Sequence, residues 1–475
     1  MRDKTTSHRY VASKTAIQAV ASTGPLLVLF AFTVPLTTLT STAKALAAGP
    51  GSQAWVLSAM SVGAAAGLLS SGAMGDDYGR RKVFVFGALI LALTSLMAAL
   101  APNGPVLVIA RVLQGAGGAA ILSCSLGLIG SVFEDGKAKA NATGVWAACL
   151  GAGVAIGPLL SAALDHLGGW QMPYLVTAVA ALGLGVAGHL VFSESRAAQP
   201  RRIDVIGTLC LSGGVSLILG ALVEGRSGWD QPLVLVLMIT GVLLILGFCA
   251  WERSTSEPML DLSLFRHPDF VGATVAAVAA GAGVLSLVSF VPTLLERAMG
   301  IGPVTSACLI LAWSATSIVT AFGARWLPDA LDARTRLILG LVGVAIGQLA
   351  LLLAPDSENA LIQLFPGLLI AGIANGILNA ALGYQAVSSV PADRAAMGSG
   401  ANNTARYVGS SIGLAIVAVL VTHGVASGRE SAIIHGWNQA VGVTAGVSLF
   451  GAAVVWMSAR PMKKREAAKV SDQAS

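Results

Sequence analysis

Two arginines interrupt long apolar runs. Arg111 stands in Ile109-Ala110-Arg111-Val112-Leu113-Gln114-Gly115, and Arg406 in Asn402-Asn403-Thr404-Ala405-Arg406-Tyr407. A guanidinium at the centre of a membrane span costs roughly 2.5 kcal/mol or more, so it faces water or a partner. On a helix, Gln114 and Gly115 share the face of Arg111. Snorkelling to the outer interface is the plainer alternative. A third group is Gly72-Ala73-Met74-Gly75-Asp76-Asp77-Tyr78-Gly79-Arg80-Arg81-Lys82. Its glycines permit a tight turn and close helix contact. Asp76 can accept bonds from a helix N-terminus or pair with Arg, giving a conformational latch of Gly72, Asp76, Gly79, Arg80 and Arg81. A fourth is Gly153 and Gly157 followed by Pro158. The glycines form a small-xxx-small face, and the proline permits a bend: a hinge and seal between helices.

Weaker polar stripes recur at helical spacing. Thr33, Thr37, Thr40 and Ser41 form one, Asn375 and Asn379 a second, and Asn402, Asn403, Arg406, Tyr407 and Ser410 a third. Ser286, Ser289, Thr293 and Glu296 form a fourth. Such groups line a cavity, glue helices together, or bond their own i−4 carbonyls. From these stripes, the cavity candidates are Thr33, Thr37, Asn375, Asn379, Asn403, Arg406 and Tyr407. No Asp or Glu falls in the middle third of any apolar run. Asp165, Glu224 and Glu296 sit toward outer ends, Asp76 and Asp204 toward inner ends. A centre without carboxylates offers a permanent cation little to pair with, so a neutral or anionic small molecule is the expected substrate.

The elements that carry these residues follow from composition. Of 475 residues, 55% are hydrophobic and 11% charged, and mean hydropathy is +0.77. Soluble domains carry roughly 25% charged residues. A bilayer core needs about 20 apolar residues per helix, and the chain reads as about fourteen such spans, the first near 18–46 and the last near 437–458. The first run is too long for a cleaved signal's core of about 7–15 residues, so it reads as a retained span. Of 29 Lys and Arg, 23 fall on one side and four on the other (Lys44, Arg226, Arg297 and Arg429), with Arg111 and Arg406 inside spans. The crowded side is the cytoplasm, which holds both termini. The five cysteines lie in apolar runs without CxxC pairing, so neither disulfide nor metal is invoked. No HExxH or P-loop occurs in the sequence.

Together these groups resemble the signatures of the major facilitator superfamily. The first loop resembles its G-x-x-x-D-R-x-G-R-R pattern after helix two. Arg111 with Gln114 and Gly115 resembles R-x-x-Q-G of helix four. Gly153 to Pro158 resembles the antiporter motif of helix five. Gly228-Trp229, Leu264-Phe265-Arg266 and Asn402 to Arg406 are similar to the fourteen-helix drug:proton antiporter branch. Three positions depart from that pattern. No acid stands in the first span, Asp77 replaces a basic residue, and Gln171 replaces Arg.

The resemblance implies an all-α integral membrane protein of two six-helix bundles, related by a pseudo-twofold repeat, plus a two-helix central insert. Residues 1–192 form the first bundle, 193–267 the insert with its linkers, and 268–475 the second bundle and basic tail. A weak echo between the loop at Gly72–Lys82 and the one near Arg325–Arg336 fits such a repeat. The implied activity is proton-driven export of drugs or antibiotics across the cell membrane by alternating access. The expected partners are a small-molecule substrate and the bilayer, without nucleic acid, in a single copy. No cofactor beyond the proton gradient is expected, and no enzyme activity. Proton-coupling candidates are Arg111, Gln114, Glu296, Glu224 and Asp165. A metabolite or lipid carrier of the same fold, or an integral-membrane enzyme, are the alternatives.

Overall fold

The structure, a computed structural model, describes residues 13–133, 136–197, 201, 204–225, 228–255, 258–301, 303–328, 331–352, 360–426 and 430–458. The N-terminal cations Arg2, Lys4 and Arg9, the tail from Arg460, and the side chains of Thr293 and Glu296 lie outside what is described. Among the described residues there is no strand. The α-helices in order are α1 Lys14–Thr33, α2 Pro35–Ala45, α3 Pro50–Tyr78, α4 Arg80–Ala99, α5 Gly104–Val132 and α6 Gly136–Gly168. Then come α7 Met172–Val191, α8 Val205–Glu224, α9 Pro232–Ser254, α10 Pro268–Ala280 and α11 Ser286–Met299. The last five are α12 Pro303–Gly323, α13 Ala333–Leu349, α14 Ala360–Ser388, α15 Ala395–Ala426 and α16 Glu430–Met457.

Local chemistry sets the boundaries. Ser13, Asn103, Asp204 and Asp332 each cap a helix by accepting a backbone N–H. Proline opens α2, α3, α5, α7, α9 and α10, where its missing N–H is harmless. The same absence breaks the first span. Pro35 cannot donate to the Ala31 carbonyl, and the chain divides at Val34 into α1 and α2. A π-helical stretch, Gly281–Leu285, joins α10 to α11 within one span.

Thirteen helices among the described residues are long and apolar enough to cross a membrane, with α10 and α11 counted together. The remaining one of the fourteen expected spans falls on α13, which is 17 residues long. Large apolar side chains stay exposed on these spans, among them Leu93, Val179, Ile239 and Leu243. That surface suits hydrocarbon rather than water.

Buried apolar residues gather into two clusters. One draws mainly on α1–α9 and the other on α10–α16. Within the first group α3 and α4 pack on α5, α7 on α4, and α1 on α6. Within the second, α14 packs on α12 and α13, and α16 on α13 and α15. α8 packs on α9 and also touches α3 and α15. The groups meet where α3 and α5 pack on α15, and α6 on α12 and α14. Close approaches across this seam pair Gly72 and Gly127 with Ala396, Gly400 with Leu68, and Gly144 with Ala321. Each lies in the half of its helix nearest the Lys/Arg-rich loops. The seam is therefore closed at the basic side. Around the echo loop, Arg325 stacks on the rings of Phe322 and Trp326, while Asp332 caps α13.

Candidate functional site

The latch is assembled at the basic end of that seam. Asp76 is fully buried at the end of α3. It accepts Arg80 Nε at 2.7 Å, and the backbone N–H groups of Ala396 at 3.1 Å and Met397 at 2.7 Å. Those amides belong to the first turn of α15, so a carboxylate from one group caps a helix of the other. Arg80 continues across the seam to the Ala392 carbonyl at 3.1 Å. Close contact requires glycine here: a Cβ on Gly72 would lie 2.3 Å from the Ala396 carbonyl oxygen. Gly79 makes the turn between α3 and α4 at φ 120°.

Arg81 takes a different place. It pairs with Glu194 at 3.7 Å, in the segment after α7, and makes no bond across the seam among the described residues. That segment clamps the latch from outside. Ser195 accepts the Arg80 N–H at 2.9 Å, and Ala197 donates to the Asp76 carbonyl at 2.6 Å. Asp77 also crosses the seam. Its carboxylate takes Arg394 Nη1 and the backbone N–H of Arg201.

The small-residue face of α6 packs on α1. A Cβ on Gly153 would lie 2.4 Å from the Leu26 carbonyl oxygen, and one on Gly157 1.9 Å from Thr33 Oγ1. Thr33 is thus buried packing, and its hydroxyl bonds its own Leu29 and Phe30 carbonyls. Thr37 is exposed on α2. Helix α6 runs unbroken through Pro158.

Arg111 is fully buried and meets protein rather than water. Nη1 donates to the Ala31 carbonyl at 2.7 Å and to Gln114 Oε1 at 3.1 Å. Nη2 donates to the Phe32 carbonyl at 3.0 Å, and Nε to Val56 at 3.4 Å. The Ala31 carbonyl is the one that Pro35 leaves without a helical donor. Arg111 therefore closes the backbone gap that breaks the first span. Gln114 is held by a bond to Ser95 Oγ at 2.9 Å.

Arg406 joins two other candidates. It donates to Asn379 Oδ1 at 3.2 Å and Asn403 Oδ1 at 2.8 Å. Tyr407 meets Phe32 of α1 edge-on, with ring centroids 6.3 Å apart. Asn375 bonds Ser317 of α12 at 2.9 Å. Asp165 and Glu224 pair with neither arginine. Asp165 accepts Ser41 Oγ at 2.8 Å, and Glu224 accepts the Trp55 indole N–H, which ties α8 to α3. Sequence patterning does not point to Arg394, Glu194 and Ser195 as latch partners. For Arg394 the signal there is the Asp393-Arg394 turn ahead of α15.

A family model described as Major Facilitator Superfamily matches residues 21–414. Puromycin resistance protein pur8 of Streptomyces alboniger is 30% identical over 448 residues, covering 91% of this chain and 88% of that protein. Multidrug resistance protein Stp of Mycobacterium tuberculosis is 31% identical over 376 residues, covering 79% and 70%. Among solved structures, the human organic anion transporter MFSD10 superposes with a TM-score of 0.66 at 16% identity, over 93% of this chain and 99% of that one. The proton:xylose symporter XylE gives 0.65 at 13% identity, over 93% and 95%. These two likenesses concern the fold alone. With its buried Asp76 latch, glycine-lined seam and a family match across most of its length, the chain belongs to the Major Facilitator Superfamily.

Proposed function

We propose that this chain is a proton-coupled exporter of small amphipathic compounds, drugs or antibiotics among them, working by alternating access. The observation that carries the reading is its 30% identity, over 91% of its length, to a puromycin resistance protein. A multidrug efflux pump of Mycolicibacterium smegmatis, LfrA, is also 30% identical over 383 residues. The seam closed at the basic side suits one end of such a cycle, with the Asp76 and Asp77 contacts broken at the other.

In this reading α13 is a fourteenth span. Residues 1–192 and 268–475 are the rocking bundles, and 193–267 is an insert that rides on the first. The protein sits in the cell membrane with both termini cytoplasmic and works as a single copy. The proton gradient supplies the energy, without cofactor or enzymatic step, and the substrate is neutral or anionic. The deciding experiment is a substrate panel in everted membrane vesicles under an imposed proton gradient. Gradient-dependent accumulation of amphipathic compounds is the expected result. Accumulation without a gradient, or of polar metabolites alone, would point to a different carrier.

A further inference from the structure

We propose that Arg406 selects substrate by charge, receiving the carboxylate of an aromatic organic acid. This rests on the exporter reading above and names the class of compound that the central site prefers.

The two buried arginines differ in how their charge is met. Arg111 is surrounded by the carbonyls of Ala31, Phe32 and Val56 and by Gln114 Oε1. Three of those acceptors are backbone atoms fixed by helix packing. It has no fork left to offer. Among the described residues, Arg406 meets only two side-chain amide oxygens, Asn379 from α14 and Asn403 from its own helix. A guanidinium carries five N–H donors. No carboxylate pairs with it among the described residues. It is nevertheless buried, at 9% exposure. A shielded charge met only by neutral oxygens is unfavourable until an anion reaches it. One turn before Asn403, the Ser399 hydroxyl is also buried and has no hydrogen-bond partner among the described residues.

The neighbouring rings supply the second half of the site. The Arg406 guanidinium lies 6.0 Å from the Tyr407 ring centroid. Tyr407 meets Phe32 across the seam at an interplanar angle of 61°. Aromatic pairs favour edge-to-face and offset geometry, so a third ring can join them without a change of chemistry. A carboxylate fits the guanidinium fork with two parallel bonds. An acid with a flat aromatic body satisfies both features. A cation of the same shape meets repulsion.

The test uses the full-length protein in lipid nanodiscs and three probes sharing one ring system: 2-naphthoate, 2-naphthamide and 2-naphthylmethylammonium. Binding is read by isothermal calorimetry. The acid should bind about tenfold or more tighter than the amide, the effect of one charge-assisted pair, and the cation should bind weakest. Arg406→Gln should bring acid and amide together while the amide still binds. Asn379→Asp, which gives Arg406 an internal anion, should abolish the acid's advantage in a protein that keeps its arginine. It decides the matter if Arg406→Gln does not fold. Equal binding of acid and amide by the native protein overturns the proposal, as does an acid preference that survives Asn379→Asp. If neutral compounds are still exported from vesicles, only the charge assignment falls. If no amphipathic compound is exported, the exporter reading falls with it.

Discussion

The pair between Asp77 and Arg394 allows a quantitative test of the seam. The two side chains are 10% and 11% exposed and come from opposite sides of the seam, so the bond exists only while the basic side is closed. Removing one partner of a buried pair costs about 3–5 kcal/mol, and less where the remaining charge keeps other contacts, as Arg394 does. Residual exposure argues for the low end, about 3 kcal/mol. At 1.4 kcal/mol per decade, that shifts the ratio of closed to open seam by roughly 150-fold. Asp77→Asn is the right perturbation, because its amide oxygen still accepts the Arg201 N–H that Asp77 accepts at 3.1 Å. Spin labels on Lys82 and Asp269, exposed near the basic ends of the two groups, report the distance by double electron–electron resonance. The native cysteines are replaced beforehand. The native protein should show mainly the short distance, and Asp77→Asn a large long-distance population. Combining Asp77→Asn with Arg394→Gln should add little to either change alone, since both remove one interaction. Unchanged distances in Asp77→Asn, or strictly additive effects, would refute the reasoning.

Other outcomes follow from the remaining contacts. Gly157→Val places a branched side chain where even a single Cβ would lie 1.9 Å from Thr33 Oγ1; overpacking of about 1–3 kcal/mol should cut vesicle transport by about tenfold, with partial recovery in Gly157→Ala combined with Thr33→Ala. Arg111→Lys loses the fork that reaches Ala31, Phe32 and Gln114, and each unmet buried acceptor costs about 1–3 kcal/mol. Its melting temperature should fall, and adding Pro35→Ala should restore part of the loss by returning an N–H to the Ala31 carbonyl. Glu224→Gln keeps an acceptor for the Trp55 indole, so gradient-driven transport should stay within about twofold of native. A collapse of transport in that variant would instead make Glu224 a proton carrier.

The sequence by itself determined that the chain is helical and spans a membrane, because the bilayer imposes span length and apolarity on each segment separately. It also singled out Asp76, Arg80 and the glycines, since a turn and a close helix contact restrict residue type locally. Tertiary structure alone decided the partners. Arg81 faces Glu194, Asp77 faces Arg394, and Thr33 packs under Gly157 instead of lining a passage. The two mid-span arginines read alike in sequence, yet one caps a proline-broken helix and the other is left among amides. Hydrogen bonds between residues 79 to 321 positions apart depend on how whole helices dock, and composition within any one helix carries no record of that docking.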